Sequence, residues 1–364
     1  MNPAEIQKLQ TVRQRIDDVD ARIQELISER AQCALEVARI KRESGETSDF
    51  YRPEREMQIV NEVRQRNHGP LPDDQIVKIF REIMSACLAL QQPLKIAFLG
   101  PEGTFTQMAA IKHFGHAVQM LPFSTTDAVF REVESGAANF AVLPVENSTE
   151  GVVTHTLDRL MHSPLFINGE ILLRIHQHLV GKADTLASIQ KVYSHQQGLA
   201  QARAWLDHHL PLVERIAVNS TAEAARLASE DPEAAAIAGK AAAEHYDLPV
   251  LASRIEDDPS NITRFLVIGP KELPCSGRDK TTILVANVNQ PGGLFKLLEP
   301  IARLGVDMSR IESRPSRRGA WDYVFFIDMI GHKDNEALSN ALGEVARNAT
   351  LFRVLGSYPQ GSEL

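Results

Sequence analysis

Between Leu9 and Ile40 the apolar residues fall at alternating intervals of three and four: Leu9, Val12, Ile16, Val19, Ile23, Leu26, then Cys33, Val37 and Ile40. One position of that seam is Arg30. A guanidinium on an apolar helix face needs an anion or several acceptors, because an unpaired buried charge is prohibitively costly. Lys41 returns to within about 20° of Arg30, roughly 16 Å along the same face. Separated by the small residues Ala34 and Ala38, two long cations on one face could converge on an anion between them. Arg13 lies roughly 25 Å before Arg30 along a helix, too far to reach the same small ligand in its own chain. In an antiparallel pair of long helices, however, Arg13 of one chain can meet Arg30 of the other. The competing reading is that Arg30 snorkels or sets helix register.

A second group of residues could bind and polarise an oxygen-rich ligand. Small polar side chains collect where short apolar runs end, in Gly100–Phe105, Glu146–Gly151, Ser194–Gln197 and Asn219–Thr221, and again in Asn261-Ile262-Thr263-Arg264-Phe265. Open α/β sheets bind ligands outside the carboxyl ends of strands, near helix N-termini that favour anions. Each motif alone also reads as a cap or a turn. Gly100–Gly103 lacks the Lys-Ser/Thr of a P-loop and the third glycine of a dinucleotide loop. Near the end, Gln290-Pro291-Gly292-Gly293-Leu294 and Glu312-Ser313-Arg314-Pro315 carry no catalytic set.

The elements that must hold these residues divide the chain into three. Residues 1–92 read as all helix: one long helix over 5–43, roughly 60 Å at 1.5 Å per residue, then helices over 53–67 and 73–92. So long a helix needs a long partner, most simply a second copy. Residues 94–270 alternate strands (Lys95–Leu99, Phe140–Val145, Lys191–Tyr193, Ala234–Ala238, Phe265–Ile268) with helices, the pattern of a parallel α/β sheet, long enough for two lobes. Residues 271–280 read as a linker. Residues 281–359 follow the order βαββαβ, a ferredoxin-like α+β unit.

With 364 residues, two or three domains are expected. Three scattered cysteines (Cys33, Cys87, Cys275) argue for a reducing, cytoplasmic setting rather than a disulfide framework. A net charge of −8 with no basic block argues against nucleic acid and anionic membrane as partners. No apolar run reaches the roughly 18 residues of a membrane span, and no signal peptide is read. The pairs His176/His178 and His208/His209 lack further ligands at metal spacing, so no metal site is expected.

Residues 5–92 resemble the all-helical chorismate mutase family through Arg13, Glu29-Arg30, Lys41 and the run Tyr51-Arg52-Pro53-Glu54-Arg55-Glu56. The resemblance implies an active site shared by two chains. Arg13 of the partner and Arg30 would bind the two carboxylates of chorismate. Lys41 and Gln91 would hydrogen-bond the breaking ether, Glu56 the substrate hydroxyl, and Arg55 would support the site. Two departures are Arg52, where some members carry an acid, and Cys87, where some carry a serine. Four motifs over 94–270 resemble prephenate dehydratase, whose two α/β lobes are like those of a periplasmic binding protein. There Thr263 would assist departure of the ring hydroxyl, and no cofactor is needed. Asn147, Ser148, Thr149, Ser194, Gln201, Ser220 and Thr221 would position the substrate. Arg264 would clamp a carboxylate, with a surface ion pair as the alternative. Gln196 stands where that family often has proline. Residues 281–359 are similar to the ACT regulatory domain, which implies a phenylalanine site between two chains lined by Gly292, Gly293, Leu294, Glu312, Ser313 and Arg314. The expectation is an enzyme converting chorismate to prephenate and then to phenylpyruvate, feedback-inhibited by phenylalanine and at least a homodimer. A non-catalytic amino-acid sensor and a chain with one decayed site are the alternatives.

Overall fold

The computed structural model describes residues 2–45, 51–316 and 323–361. The helical segment consists of α1 (Pro3–Glu43), α2 (Pro53–Arg66) and α3 (Asp73–Ala89). A reciprocal capping box starts α1: Asn2 Oδ1 accepts from Glu5 N and Asn2 N donates to Glu5 Oε2, both at 2.8 Å, with Pro3 in the first turn. Val60, Val63 and Val77 form the small core between α2 and α3. Arg42 on α1 donates to the Gln91 carbonyl at 3.0 Å, tying the end of α1 to the residues after α3. Of α1, only Ala38 is buried. The seam residues Leu9, Val12, Ile16, Val19, Ile23 and Leu26 are all exposed, from 40% at Leu9 to 61% at Leu26. That leaves a continuous apolar stripe along most of a 41-residue helix.

The central segment forms two sheets, one in each of the two expected lobes, and neither is purely parallel as the strand–helix alternation suggests. The first lobe runs through β1 (Lys95–Leu99), α4 (Phe105–Phe114), β2 (Gln119–Phe123), α5 (Thr126–Glu134), β3 (Phe140–Asn147), β4 (Gly151–Val152), α6 (Thr154–Leu160) and β5 (Phe166–Arg174). The second runs through β6 (His178–Gly181), β7 (Lys191–His195), α7 (Gln196–Gln201), α8 (Arg203–His209), β8 (Glu214–Val218), α9 (Thr221–Glu230), β9 (Ala234–Ala238), α10 (Lys240–His245) and β10 (Val250–Ala252). The chain then returns, and β11 (Ile262–Gly269) inserts between β3 and β5 of the first sheet, antiparallel to both. The sheet orders are β2-β1-β3-β11-β5 and β10-β6-β9-β7-β8. The return strand makes the first sheet mixed. In the second, β6 runs antiparallel to β9 and β10. Two crossings therefore link the lobes, at 175–177 and 253–261. Glu256 braces them: its carboxylate meets the His176 ring at 2.7 Å and accepts from Gln177 N at 2.9 Å.

The last segment comprises β12 (Asp279–Ala286), α11 (Gly293–Arg303), β13 (Met308–Pro315), β14 (Tyr323–Ile330), α12 (Glu336–Asn348) and β15 (Leu351–Pro359), with sheet order β13-β14-β12-β15. Every pairing is antiparallel, as the ferredoxin-like order requires. The two helices cover one face through Leu297, Ile301, Leu338, Leu342 and Val345. Leu284, Val324, Phe326, Leu355 and Tyr358 share a core with Leu143, Ile167 and Leu266 of the first lobe.

Candidate active sites

The cleft between the two lobes is a cavity of about 220 Å³. The first lobe lines it with Thr104, Phe105, Thr106, Asn147, Thr263 and Phe265, and the second with His195, Gln197, Gln201, Asn219, Ser220 and Thr221. Ile175 and Gln177 come from a crossing. Thr263 and Asn147 face each other in the β11–β3 register. Asn147 Nδ2 donates to Thr263 Oγ1 and to Asn261 Oδ1, both at 2.8 Å. The amide is held that way round because Asn147 Oδ1 accepts the backbone N–H groups of Thr149 and Glu150, at 3.0 and 3.2 Å, and the Thr149 hydroxyl at 2.5 Å. With its oxygen accepting from Asn147, the Thr263 hydroxyl has its proton free to donate elsewhere.

Strand parity decides which motif residues reach this cleft. Thr263 and Phe265 line it, and Arg264 does not. The carboxylate-clamp expectation for Arg264 is corrected here. Arg264 is buried, with Nε 2.8 Å from Glu170, Nη1 2.6 Å from Asp328 and Nη2 3.0 Å from the Tyr358 hydroxyl. Successive strand residues face opposite sides, so a threonine aimed at the cleft sends the next residue to the other face. Lys280 completes the cluster, 2.8 Å from Glu170. Burial disfavours the guanidinium charge, but Tyr358, Asp328 and Glu170 outweigh it and the Arg264 pKa rises. Burial, reinforced by Asp328, pushes the Tyr358 phenol well up.

The same parity corrects Ser194. It is fully buried and its hydroxyl donates to the Ile237 carbonyl at 2.8 Å, pinning β7 to β9. His195 is the residue that lines the cleft. Ser148 bonds across the strands, its hydroxyl accepting from Ile262 N at 2.9 Å. Ser220 caps α9, accepting from Glu223 N at 3.0 Å, and also lines the cleft. Beside the cleft, Glu150 has its pKa raised by burial, against the opposing pull of His195 and a hydrogen bond from Gln197. Among the described residues that line the cavity there is no lysine or arginine.

On the helical segment Arg13 is exposed, while Arg30 and Lys41 are half-buried on α1. Cys87 is buried on α3, beside Ile27, Ala31, Ile83 and Leu90, in the wall of a cavity of about 400 Å³. Arg52 precedes α2 as its N-cap residue, and the exposed Arg55 and half-buried Glu56 follow in its first turn. In the last segment, Gly292, Gly293 and Leu294 line a cavity of about 310 Å³ with Asn287, Tyr323 and Phe325. Gly292 takes a left-handed φ of 77°, a conformation that suits glycine. Glu312, Ser313 and Arg314 do not line that cavity within the chain. Arg314 pairs with Asp158 of α6 at 2.9 Å, and Arg310 on the same strand pairs with Glu146 at 2.7 Å.

Profiles of three families match consecutive stretches of the chain: chorismate mutase type II over residues 12–92, prephenate dehydratase over 96–273 and the ACT domain over 281–347. A bifunctional chorismate mutase/prephenate dehydratase of Pseudomonas aeruginosa is 52% identical over 361 residues, covering 98% of this chain and 99% of that protein. The chain belongs to the bifunctional chorismate mutase/prephenate dehydratase family. The relative from Neisseria gonorrhoeae is 48% identical over 350 residues, covering 95% and 96%. A crystal structure of prephenate dehydratase from Arthrobacter aurescens, in complex with L-Phe, superposes with a TM-score of 0.68 at 36% identity. It covers 73% of this chain and 90% of its own. The cleft lining also includes motif residues to which the sequence assigns no role, among them Thr104, Phe105, His195, Gln197, Asn219 and Phe265. Strand parity outward from Thr263 points to Phe265, whereas His195 emerges only once Ser194 is seen to face the core. Gln177 and Thr106 had no local signal.

Proposed function

We propose that the chain works as a homodimeric cytoplasmic enzyme with two separate active sites and a phenylalanine-responsive unit, carried on residues 1–92, 94–270 and 281–359. The mutase rearranges chorismate to prephenate, and the dehydratase converts prephenate to phenylpyruvate, carbon dioxide and water. What carries the second activity is the Asn147–Thr263 pair. As the ring carboxylate leaves, its bonding electrons move through the ring and expel the 4-hydroxyl. Thr263, with its proton directed outward, donates a hydrogen bond to that departing oxygen, which takes up a proton from solvent to leave as water, and aromatisation drives the step. The N-termini of α4 and α9, at Phe105 and Thr221, together with Thr106, Ser220 and Thr221, offer an anion partial positive charge and donors without a formal cation. A carboxylate that must lose its charge as carbon dioxide is better held this way than by a guanidinium. Gln201, which lines the cleft, bonds Gln177 and Thr149. No cofactor is required.

The mutase step is pericyclic, with no nucleophile and no proton transfer. It requires holding the reactive conformer and stabilising charge on the ether oxygen. Arg30 and the partner's Arg13 hold the carboxylates, Lys41 and Gln91 the ether, and Glu56 the hydroxyl, with Arg55 in support. Arg52 and Cys87 stand where some members differ and modulate substrate affinity. The exposed seam of α1 is the surface that a second copy covers. Gly292, Gly293 and Leu294 of one chain, with Glu312, Ser313 and Arg314 of another, hold the phenylalanine effector.

Mixing two dead variants tests the shared site. In a two-fold dimer of Arg13→Ala with Arg30→Ala, one site carries both substitutions and the other neither. Random mixing then restores about a quarter of wild-type mutase activity, since half the dimers are mixed. If mixtures never exceed the separate variants, both arginines serve the same chain and the dimeric site is wrong.

A further inference from the structure

Gln177 holds a buried polar atom that has no hydrogen-bond partner among the described residues. The residue is 2% exposed, sits at a crossing between the lobes and lines the cleft. Its Nε2 donates to Gln201 Oε1 at 3.2 Å. Its Oε1 is buried, and among the described residues nothing hydrogen-bonds it. Native structures rarely leave such a group unpaired without a functional reason.

The orientation of the amide follows from its neighbours. Asn147 Oδ1 accepts two backbone N–H groups, so that atom is an oxygen. The Thr149 hydroxyl lies 2.5 Å from it and must donate its one proton there. Thr149 Oγ1 can then only accept from Gln201, through a contact of 3.5 Å, which makes the approaching Gln201 atom Nε2. The other Gln201 atom is Oε1, so the Gln177 atom facing it is Nε2 and the atom left over is an acceptor. The directed chain runs Gln177, Gln201, Thr149, Asn147, Thr263. It begins in the unpaired, buried acceptor of Gln177 and ends in the donor of Thr263, two residues that line the cleft.

We propose that Gln177 reads the ring hydroxyl of the dehydratase substrate, accepting its hydrogen at Oε1 while Thr263 donates to the same oxygen. This rests on the dehydratase reading of the cleft. Prephenate has one hydrogen-bond donor at neutral pH, the 4-hydroxyl, because its two carboxylates and its ketone only accept. An unpaired acceptor in the cleft therefore fits one group of that molecule. Holding the hydroxyl hydrogen on Gln177 turns an oxygen lone pair toward Thr263, so Gln177 is a positioning residue.

The test uses the full chain with prephenate and with the analogue lacking the 4-hydroxyl, measured as a competitive inhibitor. In the wild type the inhibition constant of the analogue exceeds the KM for prephenate by about tenfold or more, because it leaves Oε1 unpaired. In Gln177→Met, of similar length and without an acceptor, kcat/KM for prephenate falls by about tenfold or more while binding of the analogue changes little. Chorismate turnover by the same protein reports that the chain is folded. Equal affinity of the wild type for the two ligands overturns the proposal even if the variant misfolds. An equal loss for both ligands in Gln177→Met also overturns it. If Thr263→Val retained full phenylpyruvate formation, the reading of this cleft as the dehydratase site would fail, a result distinct from either.

Discussion

The buried cluster around Arg264 supports one quantitative prediction that separates two roles for this residue. Arg264 and Lys280 balance Glu170 and Asp328, so the group is neutral. Substituting Arg264→Met, of similar length, removes one cation. Glu170 keeps Lys280 and the Gly361 backbone N–H at 3.0 Å. Asp328, with its side chain only 2% exposed, keeps the Thr282 hydroxyl at 2.7 Å and no cation among its described partners. Breaking a buried pair by removing one partner costs about 3–5 kcal/mol. Spread over a unit of this size, that lowers the unfolding midpoint by about 6–20 °C. Adding Asp328→Asn to Arg264→Met restores neutrality and recovers most of the loss, which a double-mutant cycle measures as coupling. The assay is thermal unfolding of the four proteins alongside dehydratase kinetics. An unchanged midpoint with a raised KM for prephenate refutes the reasoning, since that is the signature of a carboxylate clamp in the cleft.

Three further outcomes follow from local geometry. Burial, partly offset by Glu256, holds the His178 pKa below its ordinary value. Its neutral form therefore contributes stability above about pH 6.5 that is lost as pH falls, and His178→Gln shrinks the drop in urea midpoint between about pH 7.5 and about pH 5.5; an identical drop contradicts this. A methyl group at Gly198 would collide with the Ser194 hydroxyl, so Gly198→Ala displaces α7 and lowers dehydratase turnover while chorismate turnover stays level. A methyl group at Gly356 would meet the Ile167 backbone, so Gly356→Ala loosens β15 from β5 and increases amide exchange in β15, whereas unchanged exchange would show that the contact is not tight.

The sequence made some features legible and hid others for physical reasons. The seam of α1 was readable because one helix face repeats every three to four residues, and Arg30 stood out against it. The βαββαβ order of the last segment was readable because each of its elements has a strong period of its own. The return of β11 was not, since a strand does not record whether it pairs with the strand before it in the chain or with one more than a hundred residues earlier. That return is what makes the first sheet mixed and brings Thr263 beside Asn147. Arg264 looked like a ligand residue because the run Thr263-Arg264-Phe265 does not say which face is which, and its partner Glu170 sits in the strand Phe166–Arg174, where a carboxylate reads as solvent-facing. Gln177 lies in a crossing without periodicity, so only the folded hydrogen-bond chain exposes its open acceptor.

The central claim is that the chain supports two independent active sites, one built on the helical segments of two copies and one in the interlobe cleft. Supplying chorismate to the wild type, to Arg30→Ala and to Thr263→Ala, and following chorismate, prephenate and phenylpyruvate together, tests it most directly. The wild type consumes chorismate and forms phenylpyruvate; Thr263→Ala consumes chorismate and accumulates prephenate; Arg30→Ala leaves chorismate untouched but converts added prephenate. Loss of both activities in either variant, with the fold intact, would contradict the account.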